Sequence, residues 1–201
     1  MLFDEWIWLT KGSKIIMLDE VFKNYENIYR NILTKFYPSL GSTGFQERNL
    51  TVNFSKAFEK LYGEDEIISW FELQFGEKKD NHFDCIIIKE GEIYIVEAKR
   101  YTTPKKEDSV KKDIDRIIKF VKETIDSDTR FSKFNDYNVY GVILADVWTE
   151  SKPKENIRQK YIDKVFFEKE QLDEQEYNVI NFKNLGEKSD YALLSFSWRV
   201  R

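Results

Sequence analysis

The stretch at residues 81–101, NHFDCIIIKEGEIYIVEAKRY, restricts the fold more than any other part of the chain. Residues 83–88 and 93–98 are rich in Ile, Val and aromatics, the composition of strands. Between them stands Glu90-Gly91, where glycine supplies the positive φ that a short hairpin turn needs. A two-residue turn there pairs Ile88 with Ile93, Ile86 with Ile95 and Asp84 with Glu97. Directly opposed side chains share one face, with Cβ atoms about 4.5–5.5 Å apart. Lys99, two residues past Glu97, projects from the same face. A slip of one residue would break this arrangement.

The only two acids inside the strand runs are therefore expected opposite each other, where like charges repel. A divalent cation removes the conflict, and hard oxygen ligands suit Mg²⁺, Mn²⁺ or Ca²⁺. The plain alternative is that Asp84 and Glu97 end their strands at the solvent, with Lys99 as a counter-ion. That alternative suits any one of the three residues better than it suits the three together.

Asp84, twelve residues, then Glu97-Ala98-Lys99 resembles the motif of the PD-(D/E)xK nuclease superfamily, which includes restriction endonucleases, junction resolvases and repair nucleases. Phe83 stands where the motif's name has proline. The resemblance spans residues 47–146. It implies that Asp84, Glu97 and the Ala98 carbonyl hold one or two Mg²⁺ (or Mn²⁺) ions, with Lys99 orienting a water and balancing transition-state charge. Family members often add an acid from a helix before the hairpin.

Residues 45–62 read as such a helix, ended by Gly63. At about 100° per residue, Glu47 falls on the core-facing stripe of Leu50, Phe54, Phe58 and Leu61. A carboxylate is unusual there. The helix dipole accounts for an acid in the first turn but not for its face. By resemblance Glu47 is the additional catalytic acid and metal ligand, with Arg48 beside it as a phosphate contact.

Charge is distributed unevenly. The chain carries −4 overall, yet residues 99–122 hold nine basic residues against four acids. Arg100, Lys105, Lys106, Lys111 and Lys112 follow the hairpin closely and could meet phosphates. A solvated helix face with i,i+4 pairs is the alternative.

Several classes are disfavoured. One cysteine, Cys85, allows no intramolecular disulfide, which fits a reducing cytoplasm. Nothing approaches the ~20 apolar residues of a membrane span, and the N-terminus lacks the basic start of a signal peptide. A single histidine, His82, read as a loop residue, argues against most zinc enzymes.

Elsewhere, residues 14–37 look helical, with Pro38 as terminator. Residues 67–75 read as a strand. Alternation sets Trp70, Glu72 and Gln74 on one face, with Ser69, Phe71, Leu73 and Phe75 on the other. Glu72 is expected to pair with a cation at the sheet surface or to support the site from behind. A helix to about Ile125 precedes a buried strand at 137–146, the order of a parallel crossover. Residues 1–12 suggest a short strand or a docking arm, 154–167 a helix and 191–200 a last strand. The expected fold class is α/β, with a mixed sheet between helices. One domain spans 1–201, with a core at 45–146 and extensions at 1–44 and 147–201.

The reading is a Mg²⁺-dependent endonuclease acting on DNA, with RNA left open, in restriction, defence or repair. By resemblance, cleavage leaves a 5′-phosphate. Cutting both strands often uses two copies, so a homodimer is the natural assembly to test. The alternative is a catalytically silent nucleic-acid-binding or regulatory module on the same fold.

Overall fold

The computed structural model describes residues 16–36, 46–76, 81–100, 107–150, 172–182 and 189–201. The expected N-terminal arm, the helix at 154–167, Lys105 and Lys106 lie outside them. Among the described residues the α-helices are α1 (Ile16–Asn31), α2 (Glu47–Tyr62) and α3 (Glu107–Glu123). The strands are β1 (Ile68–Gln74), β2 (His82–Lys89), β3 (Glu92–Arg100), β4 (Asn138–Glu150), β5 (Asp173–Phe182) and β6 (Ser189–Arg199). All six form one mixed sheet in the order β1-β2-β3-β4-β6-β5.

The hairpin has the register its turn implies. Ile88 pairs with Ile93 and Ile86 with Ile95, up to Cys85 with Val96. Gly91 takes φ 77°, a conformation that costs an L-residue strain. β3 then pairs parallel with β4 from Glu92↔Asn138 to Arg100↔Asp146, the crossover being carried by α3.

Alternation along β2 and β3 feeds two apolar layers. Cys85, Ile87, Tyr94 and Val96 pack with α1 and α2, whereas Ile86, Ile93 and Ile95 pack with α3. The α2 stripe is buried as its spacing implies. Leu50, Phe54 and Phe58 are all in the core, and each such side chain contributes roughly 1.5–3 kcal/mol. Leu61, expected on that stripe, is instead an exposed residue in the last turn. Gly63 closes the helix, its N–H donating to the Glu59 carbonyl at 2.8 Å. α3 presents Val110, Ile114, Ile117, Phe120 and Val121 to the other layer.

Three features depart from the sequence reading. His82 is the first residue of β2, not part of a loop. Phe71 lies in the α1–α2 layer, whereas Leu73 and Phe75 lie in the α3 layer, so simple alternation along β1 fails. The cause is Glu72, the one non-glycine residue with positive φ (55°) among those described. A left-handed residue rotates the strand beyond it, as in a bulge. The facing strand follows, because Phe83 also joins the α3 layer, stacked on Phe75 at 4.2 Å. Asp84 thus sits where β2 changes face. Third, β5 (DEQEYNVINF) pairs along β6, a strand for which the sequence reading holds no expectation.

One close approach braces the far side of the sheet. Gly141 pairs with Trp198, and a Cβ at 141 would lie 2.2 Å from the indole ring.

Candidate functional site

The register carried one step beyond Cys85–Val96 sets Asp84 opposite Glu97, where the β2–β3 pairing ends. There Asp84 Oδ2 accepts the Ala98 N–H at 2.7 Å, a side chain taking the place of a strand carbonyl. Two residues on, Glu47 Oε1 accepts the Arg100 N–H at 2.9 Å. Alternate amides of a strand point to one side, and two residues advance about 6.6 Å. Both carboxylates therefore line the β2 side of β3, bracketing the Ala98 carbonyl, which shares the direction of its own N–H. Glu47 reaches this edge from α2, across the sheet from α3. Its core-facing angle thus brings it to the backbone edge that Asp84 also holds.

On the α3 face, four charged side chains interlock. Glu97 is 1% exposed and accepts a hydrogen bond from Arg116 at 2.5 Å. Lys99 Nζ lies 2.9 Å from Asp113 Oδ2 and 3.8 Å from Glu97 Oε2. Arg116 also touches Asp113 at 2.9 Å. Asp113 and Arg116 join the site from α3, and the motif points to neither. The helix pattern does carry a signal for Asp113: at 100° per residue it lies about 60° from Val110, within the apolar stripe. Arg116 is one of the basic residues of 99–122, and its pairing with Glu97 and Asp113 removes it from the charges available to phosphate.

The electrostatics follow from burial and these neighbours. Burial, then the Asp84 charge, pushes the Glu97 carboxyl up to about 8, with Arg116 and Lys99 opposing. Burial raises Asp113 as well, against the pull of Lys99 and Arg116. For Lys99, burial works to discharge the ammonium, but Asp113, then Glu97 and Asp84, outweigh it and hold its pKa above the ordinary value. The cluster thus keeps a charged amine beside a buried carboxylate whose charge Arg116 meets directly. Burial pushes the Cys85 thiol far above its ordinary range, so it is a core residue and no nucleophile.

Behind β3, on the α1–α2 side, Asp146 is 2% exposed and accepts a hydrogen bond from Tyr191 at 3.2 Å. Burial pushes its carboxyl up to about 7, the Arg100 charge and the Tyr191 bond opposing. Arg100 is therefore turned toward Asp146, on the opposite face from Lys111 and Lys112. Those two lysines are exposed in the first half of α3, and Arg48 is exposed at the start of α2. The described basic candidates flank the end of β3 from both faces instead of forming one stripe.

A further group lies on the β1 side of Asp84. His82 Nε2 is 3.1 Å from Glu72 Oε2, and Glu72, His82 and Asp84 offer ligand atoms all within 4.8 Å of one another. Glu72 is exposed at the sheet surface, beside His82.

Fold and site together define an α/β protein with a carboxylate–lysine cluster where the two strands of its central hairpin end their pairing. No protein-family model, no curated protein and no solved structure matches this chain. No described helix is long and apolar enough to cross a membrane.

Proposed function

We propose that the chain is a metal-dependent nuclease of the PD-(D/E)xK kind, hydrolysing phosphodiester bonds of DNA. One observation carries the reading: Lys99 Nζ stands 2.9 Å from Asp113 and 3.8 Å from Glu97, the residue opposite Asp84. A buried lysine–carboxylate network has high desolvation cost and little net stabilising value, so its presence at a strand end asks for a chemical use.

By donor chemistry the motif residues suit Mg²⁺ or Mn²⁺, although Asp84, Glu97 and Glu47 do not together form a described group whose ligand atoms all lie within 4.8 Å of one another. Asp84, Glu47, Glu97 and the Ala98 carbonyl are all hard oxygen donors. When bound there, such an ion supplies Lewis-acid polarisation of a phosphoryl oxygen and a more acidic water. The chain's own groups do the remaining work. The Ala98 and Arg100 amides hold the Asp84 and Glu47 carboxylates along one edge of β3, which limits the movement either needs on binding. Lys99 orients the attacking water and balances negative charge that develops on the phosphoryl oxygens. Asp113 keeps that ammonium in place and protonated. Arg48 on one side and Lys111 and Lys112 on the other hold phosphates flanking the scissile bond. A single buried cysteine fits action in a reducing compartment, the cytoplasm.

A second reading, a silent nucleic-acid-binding module, draws on the 2.5 Å Arg116–Glu97 contact, which already neutralises one of the acids. Incubation with supercoiled plasmid and single-stranded DNA in Mg²⁺, Mn²⁺ or EDTA separates the two. Nicking that needs the ion supports the enzyme. DNA retardation without cleavage in any ion supports the module.

A further inference from the structure

We propose that Glu72, His82 and Asp84 form a second cation site, selective for a first-row transition-metal dication over Mg²⁺ and sharing Asp84 with the centre described above.

The three residues are brought together by the change of face in the β1–β2 pair. Phe71 pairs with Cys85 and Leu73 with Phe83, so Glu72 stands opposite Asp84, with His82 two residues away on the same strand. In a regular strand Asp84 and Glu72, two like charges directly opposed, would be destabilising neighbours. Glu72 instead holds a left-handed conformation, φ 55°, that an L-residue adopts at a cost of about 1 kcal/mol or more. Its carboxylate lies 3.1 Å from His82 Nε2. The ligand atoms of all three residues lie within 4.8 Å of one another. Two metal–ligand bonds of about 2.2 Å span at most about 4.4 Å, so an ion needs only a small inward movement of these side chains.

The donor chemistry sets the ion class. Mg²⁺ prefers oxygen and keeps its waters, whereas a neutral imidazole favours first-row transition dications, with affinity rising from Mn²⁺ toward the later metals, so Mn²⁺ is the most stringent probe of the series. One imidazole and two carboxylates from a strand pair leave several coordination positions for water or a phosphate oxygen. Asp84 can serve both places, because a carboxylate accepts at about four lone-pair positions and only one oxygen is used by the Ala98 N–H. Binding at this cluster does not rest on the nuclease reading. Its adjacency to a reacting phosphate does.

The test uses Mn²⁺ on the full 201-residue chain. Pulsed electron paramagnetic resonance of the Mn²⁺-loaded protein reports directly bound nitrogen, and calorimetry reports affinity. The wild type is expected to show nitrogen coupling. His82→Gln should abolish the coupling and weaken Mn²⁺ binding at least about tenfold, with Mg²⁺ affinity unchanged. Glu72→Gln should weaken Mn²⁺ while keeping the nitrogen signal, and circular dichroism melts confirm that both variants fold. Absence of nitrogen coupling in the wild type, or unchanged Mn²⁺ affinity in folded His82→Gln, overturns the proposal. Nitrogen-bound Mn²⁺ in a protein that cuts no DNA would uphold this site and remove the nuclease reading. Ion-dependent cleavage without nitrogen coupling would do the reverse.

Discussion

Lys99 of β3 and Asp113 of α3 are joined at 2.9 Å across the sheet–helix interface, and both are nearly excluded from solvent, at 13% and 5% side-chain exposure. The pair ties the residue argued to balance phosphoryl charge to a helix that the motif itself does not include.

Removing one partner leaves the other charged and buried. Asp113→Asn is therefore expected to cost about 3 kcal/mol, the usual penalty for breaking a buried pair. In a chain of this size that lowers the melting temperature by several degrees, at about 2–4 °C per kcal/mol. Cleavage should also fall, and the pH at which Lys99 discharges should move down, because Asp113 is the largest influence raising its pKa. A calorimetric melt alongside a pH–rate profile checks both. A variant that melts lower but keeps the wild-type pH–rate profile would make Asp113 structural only.

Asp146 provides a pH dependence separate from the cluster on the α3 face. Its folded pKa is raised from 3.8 to about 7, chiefly by burial. A group raised on folding binds protons more tightly when native, so its contribution is fully present below the unfolded value. That contribution is lost as pH rises through the folded value. Wild-type stability should therefore decline between about pH 4 and pH 7 relative to Asp146→Asn, which has no such titration. Urea unfolding at pH 5 and pH 8 measures it. The variant's stability relative to the wild type should rise by at least about 1 kcal/mol across that interval, since a single pKa unit corresponds to about 1.4 kcal/mol. An equal difference at both values would contradict the assigned shift.

The described surface lysines give a salt-dependence prediction. Reversing Lys111 and Lys112 to Glu should weaken DNA binding and lower the slope of log K against log salt, by about 0.9 for each phosphate no longer neutralised. Fluorescence anisotropy over a salt series reads the slope. An unchanged slope would assign both lysines to an ordinary solvated helix face.

How far the sequence exposes this arrangement depends on the residue. The hairpin register is legible because Glu90-Gly91 admits one tight turn and two-residue periodicity then allows a single pairing. Glu47 is legible as an acid on an apolar stripe, but its target, a backbone amide, leaves no trace in side-chain patterning. Asp113 offers the same stripe signal, masked by the many charges around it. The left-handed turn at Glu72 is not legible, since nothing local demands it of a glutamate, and with it go the faces of Leu73 and Phe75. β5, an edge strand, opens on the polar run DEQE, and only its second half alternates, with Asn178, Ile180 and Phe182 buried. The roles of Lys105 and Lys106 rest on sequence alone, as both lie outside the described residues.

The central claim is that Asp84 holds an ion and Lys99 acts on what the ion activates. The most direct measurement pairs Mn²⁺ calorimetry with plasmid nicking for Asp84→Asn and Lys99→Ala. Asn keeps an oxygen that can accept the Ala98 N–H but removes the anionic ligand, so Asp84→Asn should lose both ion binding and cleavage. Lys99→Ala removes a cation that cannot ligate an ion and is repelled by it. It should bind Mn²⁺ at least as tightly as the wild type while nicking falls by about 10²–10³-fold. Nicking by Lys99→Ala at the wild-type rate would contradict the account.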